Sequence, residues 1–359
     1  MNNKEYKIGI LTLPGNFNYG NRLQNYALEQ VIINNFGAVN TLAIDNRNII
    51  IKTISMLKQK KYEFSKPEIS KQKRVKEKVF SPFTRDYLNN KKEKVFSHYD
   101  YVIVGSDQVW NPNFMKRTDR TKWFLDFVPK EKRISYAASF GVSEIPDNLH
   151  SFFKEGLTNM NYISVREEAG IEIVKNISNR DAELVVDPTM LLTLSEWNEL
   201  IARKKNSSVD RSDKFIIVYM LREFSHDRKL AVENFAKKNN FKIIQIMGDT
   251  YHRDHVVYDP IEFIESIKYA QMVFTDSFHC TVFSILFKTP FCVFDRVGGN
   301  MGSRLQTLLK KFSLVKNQYV DEDRTDIQAL FKQTAFNEID SILEEGRQKG
   351  IEFLKESIK

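Results

Sequence analysis

The stretch KIGILTLPGNFNYGNRLQNYALEQVIINN, from Lys7 to Asn35, shows the pattern that decides the fold. Its first five residues form a largely apolar run that is typical of a buried β-strand. A loop rich in glycine and asparagine follows, and apolar residues then recur every fourth position over 22–35, which predicts a helix that Gly37 can cap. Because a strand, a loop and a helix follow one another, the stretch predicts the start of a βαβ unit with parallel strands.

The same alternation continues through most of the 359 residues and predicts an α/β fold of two Rossmann-like domains, each with a mostly parallel sheet. The polar stretch Arg203–Lys214 is typical of a linker. We therefore predict an N-terminal domain over 1–200, a C-terminal domain over 201–325, and helices over 326–359 that pack back on the N-terminal domain. The further strands predicted are TLAI, YDYVIVG, RISYAAS, YISV, AELVV, FIIVYML, KIIQIM, QMVFT and FCVF.

Composition and cysteine usage indicate a soluble cytoplasmic protein. Hydrophobic residues make up 42% and charged residues 28%, as in ordinary globular proteins. No apolar run approaches the roughly 18 residues of a membrane span, and the N-terminus lacks the pattern of a secretory signal. The two cysteines, Cys280 and Cys292, lie in apolar stretches and are expected to be buried reduced thiols. Their number and spacing favour neither a disulfide framework nor a metal cluster.

The net charge of +8 suggests an anionic partner. Most of the surplus lies between Lys58 and Lys94, within a predicted basic insertion over 55–95. One interpretation is a solvated helical insertion. The other is a surface that holds the protein near an anionic membrane or polymer.

Two polar loops follow predicted strands of the N-terminal domain, which is where ligands of α/β folds bind. The loop GNFNYGN, with Asn18 and the following Arg22, offers many hydrogen-bonding groups but matches neither the GxGxxG nor the P-loop pattern. The loop GSDQVWNP places Asp107 and Gln108 beside Trp110. Such groups suit a polyhydroxylated ligand. The alternatives are a simple turn for the first loop and a buried core tryptophan for the second.

The segment TDSFHCTVFSI, from Thr275 to Ile285, predicts a strand end followed by a helix that Ser277 can cap. Its histidine, His279, falls in the first helical turn, where free backbone N–H groups and the helix dipole favour an anion. A histidine at this place can donate to a phosphate or carboxylate, or exchange protons near neutral pH. Alternatively, it has a structural role at the start of the helix.

Arginines follow strands in both predicted domains. Arg296 and Arg304 flank three glycines, and their guanidinium groups match carboxylate and phosphate oxygens, so they are candidates for an anion clamp. Arg166 stands at the end of the strand YISV and can face the same cleft. The alternative for Arg166 is an exposed charge paired with Glu167 or Glu168.

Taken together and in this order, the motifs resemble those of the polysaccharide pyruvyltransferase family. The resemblance extends from about residue 7 to residue 312. The residues that carry it are GNFNYGNRLQNYAL, YDYVIVGSDQVWNP, SYAASFG, YISVREEAGIEI, VVDPTMLL, VFTDSFHCTVFSILFKTPFCVF and SRLQTLLKKF.

The resemblance implies a fold similar to GT-B glycosyltransferases, with the active site in the interdomain cleft. It also implies a transferase that moves the pyruvyl group of phosphoenolpyruvate to a sugar, as a ketal, without a cofactor or metal. The acceptor would belong to a bacterial surface polysaccharide, such as an exopolysaccharide, capsule or cell-wall polymer, or to its lipid-linked precursor. The family usually has glycine where this chain has Cys280, and the larger side chain is expected to narrow the pocket and affect the choice of acceptor.

The resemblance and the residue chemistry together suggest roles for ten residues. The candidates for catalysis are His279 and Arg166. The candidates for donor binding are Arg296, Arg304, Ser277 and Lys288, and those for acceptor binding are Asn18, Arg22, Asp107 and Gln108.

Two other functions fit parts of the sequence. A GT-B glycosyltransferase would use a nucleotide sugar in the same cleft. A basic binding protein would hold an anionic polymer through 58–94, but the sequence lacks aromatic residues interleaved within a sheet or groove motif, so no nucleic-acid partner is expected. The sequence leaves open a peripheral contact with the inner face of an anionic membrane.

Overall fold

The computed structural model shows parallel sheets alternating with helices, as the sequence predicts. It describes residues 5–43, 65, 67–93, 95–115, 120–222, 224–249, 251–295, 302–320, 324–332, 336 and 338–359.

The first sheet has seven parallel strands in the order β3-β2-β1-β4-β5-β6-β7. The chain moves outward from β1 to β3 and then returns to the other side of β1, so the direction of winding reverses between β1 and β4. Its central strands are apolar and buried because helices cover both faces. The strands are β1 (Tyr6–Leu11), β2 (Gly37–Ala43), β3 (Asn90–Lys92), β4 (Tyr101–Gly105), β5 (Arg133–Ala138), β6 (Tyr162–Val165) and β7 (Glu183–Leu184).

The second sheet has four parallel strands in the order β11-β10-β8-β9. Its winding also reverses, between β8 and β10. Each sheet therefore offers one crevice at the carboxyl ends of its strands, where ligands of such folds bind. The strands are β8 (Phe215–Tyr219), β9 (Lys242–Ile246), β10 (Met272–Thr275) and β11 (Phe291–Val293).

Several helices begin directly after a residue whose side chain caps them. The helix after Asp259 begins with Pro260, and the Asp259 side chain accepts hydrogen bonds from the Ile261 and Glu262 N–H groups in a capping box. The helices are α1 (Tyr19–Asn35), α2 (Pro67–Tyr87), α3 (Arg120–Trp123), α4 (His150–Thr158), α5 (Glu168–Ser178), α6 (Leu194–Ala202), α7 (His226–Asn239), α8 (Pro260–Tyr269), α9 (Phe278–Leu286), α10 (Ser303–Lys311), α11 (Ile327–Phe331) and α12 (Ile339–Ser357).

The first helix begins three residues earlier than the sequence predicts. The Asn18 side chain accepts a hydrogen bond from the Asn21 N–H at 3.0 Å, and this cap allows Tyr19 to Asn21 to form the first turn. Part of the predicted glycine-rich loop is therefore helical. At the other end, Gly37 follows the cap residue Phe36 and has a φ of +130°, which brings its backbone against that of Tyr6.

Helix α1 joins the two sheets. Tyr19 stacks on Phe263 of α8 with ring centroids 4.0 Å apart, and its hydroxyl donates to the Tyr258 carbonyl. A single hydrophobic cluster includes buried residues from both sheets and from α12. In α12, the Phe353 ring lies 6.1 Å from the Tyr136 ring of β5. The relative position of the two sheets is therefore held by core packing.

Helix α2 shows that the basic insertion is more than a solvated segment. Its residues Lys76, Phe80 and Phe83 are buried. Gln72 and Lys76 each donate, at 2.9 Å, to the carbonyl of Gly248 in the loop that follows the second sheet's strand β9. The parts of the predicted insertion at 55–64, 66 and 94 lie outside the described residues. Of the helices that the structure describes, none is both long and apolar enough to cross a membrane.

A buried carboxyl in α1 makes the stability of this fold depend on pH. The Thr41 hydroxyl lies 2.5 Å from Glu29 Oε1 and 2.9 Å from Asn25 Oδ1, while the Asn89 N–H donates to Glu29 Oε2. One hydroxyl proton cannot serve two acceptors, but a protonated Glu29 can donate to Thr41, which then donates to Asn25. Burial raises the pKa of Glu29 to about 7.

We expect Glu29→Gln to flatten the pH dependence of stability. The folded chain binds this proton more tightly than the unfolded chain, whose pKa is near 4.5, so the free energy of unfolding falls as the pH rises from about 4.5 to 7. Glutamine keeps the neutral hydrogen bonds, and above pH 7 it should add up to about 3 kcal/mol, at ~1.4 kcal/mol per pKa unit. Urea unfolding across this pH range measures the effect. The exposed Glu172 supplies the control Glu172→Gln, and parallel pH profiles for Glu29→Gln and the unmodified chain would contradict the prediction.

Candidate active site

The candidate site lies where the carboxyl ends of strands from both sheets face each other. Ser106 and Asp107 follow β4, and Arg166 follows β6. From the second sheet, β10 is followed by α9, whose first turn carries His279. Both crevices at which the winding reverses contribute side chains, which is the expected place for a ligand.

Arg166 is the centre of this cluster. Its Nη1 atom lies 2.5 Å from Asp187 Oδ2 and 3.3 Å from Ser106 Oγ, and its Nη2 atom lies 3.4 Å from Asp107 Oδ1. The guanidinium carbon also lies 4.7 Å from the centre of the Phe278 ring. Since only 4% of the residue is exposed, the alternative of an exposed charge at the start of a helix is wrong.

Asp187 is the principal site residue that sequence reasoning missed. It precedes the short turn Pro188–Met190, and its Oδ1 atom accepts hydrogen bonds from the Thr189 N–H and hydroxyl. Burial disfavours the charged carboxylate, but His279 and Arg166 outweigh burial and lower its pKa well below the usual range. In the sequence, VVDP has the form of a turn cap, and nothing local indicates a partner in the second sheet.

Asp107 is a second buried carboxylate in the cluster. Its Oδ2 atom accepts a hydrogen bond from Asn21 Nδ2 at 3.4 Å. Burial disfavours its ionised form, but the positive charges of Arg166, His279 and Arg304 outweigh this effect and lower its pKa. Asp107 and Asp187 therefore both remain ionised at neutral pH and balance the cations around them.

His279 bridges the two sheets. Ser277 caps α9 by accepting from the Cys280 N–H, and His279 occupies the first turn with 7% of its surface exposed. Its Nε2 atom lies 3.5 Å from Asp187 Oδ2, within ion-pair distance. An imidazolium at this position would be compensated by the Asp187 carboxylate, so the geometry allows both protonation states of the ring.

A cavity of about 200 Å³ opens beside the cluster. The guanidinium carbon of Arg304 lies 5.7 Å from the centre of the Phe278 ring, so Arg304 and Arg166 both approach this ring. Helix α10 supplies Arg304, Thr307 and Lys311, and the last two were not selected from the sequence. The polar and aromatic side chains that line the cavity are Arg166, Glu168, Asp187, Phe278, Arg304, Thr307 and Lys311. The three cations outnumber the two carboxylates, so the lining suits a small anion.

The residues predicted for the acceptor hold their own loops together. Asn18 caps α1, and Gln108 Oε1 accepts from Asn111 Nδ2 at 2.5 Å. Arg22 is buried and donates to the Leu13 carbonyl and to Asn21 Oδ1, and burial lowers its pKa to about 10. Of the four predicted acceptor residues, Asp107 is the one that contacts the Arg166 cluster.

Lys288, which the sequence suggests for donor binding, lies away from the cluster. Lys288 follows the C-terminal end of α9, opposite to His279, and its Nζ atom lies 2.6 Å from Asp340. Cys280 and Cys292 are buried free thiols, as predicted. Cys280 packs in the hydrophobic core. Arg296 lies outside the described residues.

The interpretation of Trp110 as a residue that faces a polyhydroxylated ligand is wrong. The Trp110 ring is fully buried, its Nε1–H donates to the Trp123 carbonyl, and it stacks on Phe124 with centroids 5.5 Å apart. The alternative of a core tryptophan therefore holds. Within the loop GSDQVWNP, Ser106 and Asp107 are the residues that contact Arg166 and so contribute to the site.

Gly20 permits the close approach of α1 and α9. A Cβ atom added at Gly20 would lie 1.9 Å from His279 Nδ1 and 2.1 Å from His279 Cγ. The imidazole thus packs directly on the backbone of α1. Only glycine leaves room for this contact.

We expect Gly20→Ala to lower the free energy of unfolding by about 1–3 kcal/mol, the usual range for overpacking. In a helix without this contact, alanine would instead stabilise, by up to ~1 kcal/mol. Urea unfolding distinguishes the loss of stability that overpacking predicts from the gain expected without the contact. Gly302→Ala is the control, because a Cβ atom there would meet no atom of the described residues within 4 Å, and only a small change is expected. A Gly20→Ala protein as stable as the parent chain would contradict the close approach.

Comparisons with known proteins place this site in a wider context. A family model described as polysaccharide pyruvyl transferase matches residues 18–296. No curated protein matches the sequence. The structure is similar to the UDP-N-acetylglucosamine 2-epimerase of Rickettsia bellii, with 8% identity, 99% of this chain and 97% of that chain covered, and a TM-score of 0.52. It is also similar to the UDP-GlcNAc 2-epimerase of Methanocaldococcus jannaschii, with 11% identity, 97% and 98% covered, and a TM-score of 0.52. At these identities the likeness concerns the fold alone, and it confirms the predicted α/β fold of the GT-B type.

Proposed function

The chain belongs to the polysaccharide pyruvyl transferase family and is therefore a transferase, and on this premise we propose that it transfers the pyruvyl group of phosphoenolpyruvate to a sugar as a ketal. The observation that carries the proposal is the cluster of Arg166, Asp187 and His279 beside a cavity with further cationic groups. Phosphoenolpyruvate carries a carboxylate and a phosphate, so its binding requires several cations. No cofactor is required.

The proposed reaction needs proton transfer and anion binding but no redox step. Protonation of the methylene carbon of phosphoenolpyruvate makes its second carbon electrophilic. One sugar hydroxyl adds to this carbon, the bond to the phosphate oxygen breaks, and the second hydroxyl closes the ketal ring. Of the two hydroxyl protons released, one balances the proton added to the methylene carbon and the other leaves with the phosphate.

His279 is the proposed proton-transfer group. Its Nε2 atom lies in the first turn of α9 and 3.5 Å from the Asp187 carboxylate, which would stabilise the ring when it carries a proton. Arg166 holds the same oxygen of this carboxylate, with its Nη1 atom 2.5 Å from Asp187 Oδ2. The proposed roles of Arg166 are therefore to orient the His279–Asp187 pair and to add positive charge next to the reacting atoms.

The donor anion is proposed to bind in the 200 Å³ cavity. Arg304 and Lys311 lie on the same face of α10, two turns apart. Together with Thr307 they line one wall of the cavity. A guanidinium fork suits a phosphate or carboxylate, and a lysine adds a point charge. Lys311 thus takes the place that the sequence analysis suggested for Lys288.

The proposed acceptor is a sugar of a bacterial surface polysaccharide or of its lipid-linked precursor, with Asp107 and Asn21 on the acceptor side. A lipid-linked acceptor would require a cytoplasmic enzyme to approach the membrane. The cationic face of α2, defined as Lys71, Arg74 and Lys78, supports such an approach, because these residues are exposed and fall on one side of the helix. Clustered cations of this kind are attracted to anionic lipid by ~1 kcal/mol each.

Product analysis tests the function directly. The protein is incubated with phosphoenolpyruvate and a panel of lipid-linked and nucleotide-linked sugars, and phosphate release and product mass are measured. We expect phosphate and a product whose mass corresponds to the acceptor with a pyruvyl ketal. Release of a nucleoside diphosphate from a nucleotide sugar would instead identify a GT-B glycosyltransferase.

We expect His279→Ala to lower turnover about a hundredfold or more, within the range for general acid–base groups. Arg304→Ala should mainly raise the KM for phosphoenolpyruvate, because it removes a charge from the donor cavity. Steady-state kinetics measure both. His150→Ala and Lys310→Ala are the matched controls, since His150 belongs to α4 and Lys310 is exposed on α10. Full turnover in His279→Ala would remove this histidine from the mechanism.

Sedimentation with lipid vesicles tests the membrane contact. We expect binding to vesicles that contain phosphatidylglycerol, little binding to phosphatidylcholine alone, and a loss of binding at high salt. The double change Arg74→Glu and Lys78→Glu should abolish binding. Lys237→Glu with Lys238→Glu makes the same charge change on exposed residues of α7 and should have less effect. Equal losses in the two double variants would show that net charge, and not this face, determines binding.

A further inference from the structure

A second cavity lies at the carboxyl ends of β8 and β9. Its volume is about 330 Å³, and its lining shares no residue with that of the donor cavity. The polar side chains facing it include two histidines, two carboxylates and two cations. They are His252, His255, Asp249, Asp254, Arg222 and Lys229.

The loop that carries the histidines is held in place at both ends. A parallel bridge joins Ile246 to Val256, and the Met247 N–H donates to the Val256 carbonyl at 2.9 Å. The Asp249 N–H donates to the Leu221 carbonyl at 3.2 Å. In addition, α2 donates two hydrogen bonds to the carbonyl of Gly248. The segment 252–255 is therefore presented by a constrained loop, which lowers the entropy lost when a ligand binds.

Three side chains in this loop converge on one point. One ligand atom each from His252, Asp254 and His255 lies within 4.8 Å of the others. The two imidazole rings are 4.4 Å apart, with planes inclined by 31°. The Nδ1 atom of His255 is buried and has no hydrogen-bond partner among the residues that the structure describes. A buried polar atom without a partner is costly, and a metal ion would provide one.

We propose that His252, Asp254 and His255 form a binding site for a divalent transition-metal ion of the zinc class, next to the second cavity. Two imidazoles and one carboxylate are a ligand set that zinc uses, with a fourth position left to water or a substrate. Oxygen-preferring Mg²⁺ is disfavoured by this set. Bonds of ~2.0–2.2 Å require the three ligand atoms to move closer together. This movement is expected because a bound cation attracts all three atoms.

The cations in the same cavity suggest what completes the coordination. Arg222 and Lys229 line the cavity that the metal ion would face. Their charges attract an anionic oxygen ligand such as phosphate. The site therefore takes a metal ion together with an anion, and it is separate from the residues proposed for pyruvyl transfer.

Calorimetric titration with Zn²⁺ and the absorption spectrum with Co²⁺ test the site on the full chain. We expect one ion per chain, d–d bands typical of four-coordinate Co²⁺, and no saturable heat with Mg²⁺. His252→Ala and His255→Ala should each abolish the Zn²⁺ signal, while Asp254→Asn should weaken it. Arg253→Ala is the matched control in the same loop and should retain the stoichiometry. Circular dichroism verifies that each variant is folded.

Two results would overturn the proposal. One is the absence of saturable Zn²⁺ binding by the unmodified chain, and the other is binding that survives in both folded histidine variants. Inorganic phosphate tests the open position, because its addition should shift the Co²⁺ bands. An unchanged spectrum would show that the ion has no coordination position facing the cavity.

Discussion

The buried ion pair between Arg166 and Asp187 is the interaction on which the site depends, because it joins the end of β6 to the turn after β7. Removing two charges from water costs several kcal/mol for each ion. The cost is tolerable because other polar groups complete the pair: Ser106 contributes its hydroxyl, and Thr189 donates two hydrogen bonds to the same carboxylate. A pair of this kind fixes one arrangement of the strand ends and penalises every other, since any displacement leaves a buried charge uncompensated.

This pair also determines how the remaining charges are used. Arg166 is already engaged by two carboxylates, and the proposed mechanism therefore assigns the binding of the incoming anion to Arg304 and Lys311 of α10. His279 approaches the same Asp187 oxygen as Arg166 and shares its charge. Because the cluster is largely dry, its electrostatic interactions are stronger than they would be in water, and little reorganisation is needed when charge develops during a reaction.

The cluster can form only while the two sheets keep their relative position, since Asp187 belongs to one and His279 to the other. Core packing around α1 secures this position, with Tyr19 stacked on Phe263 across the junction. Helix α2 adds two hydrogen bonds from the N-terminal part of the chain to Gly248, in the loop that follows β9 of the second sheet. The junction is therefore built from contacts that resist small displacements, as a site with fixed distances requires.

The sequence by itself determined the α/β alternation, the Ser277 cap and the family, because apolar periodicity, a capping residue and ordered motifs are local features. It also indicated His279, whose position at a helix start is local. Only the tertiary structure decided the partners of this histidine, Asp187 and Gly20, which lie far from it along the chain. Asn18 and Gln108 were predicted to bind the acceptor, but the tertiary structure shows that they stabilise their own segments of the chain. A polar residue in a loop looks alike in sequence whether it faces a ligand or caps a helix, because the difference depends on which distant backbone folds against it.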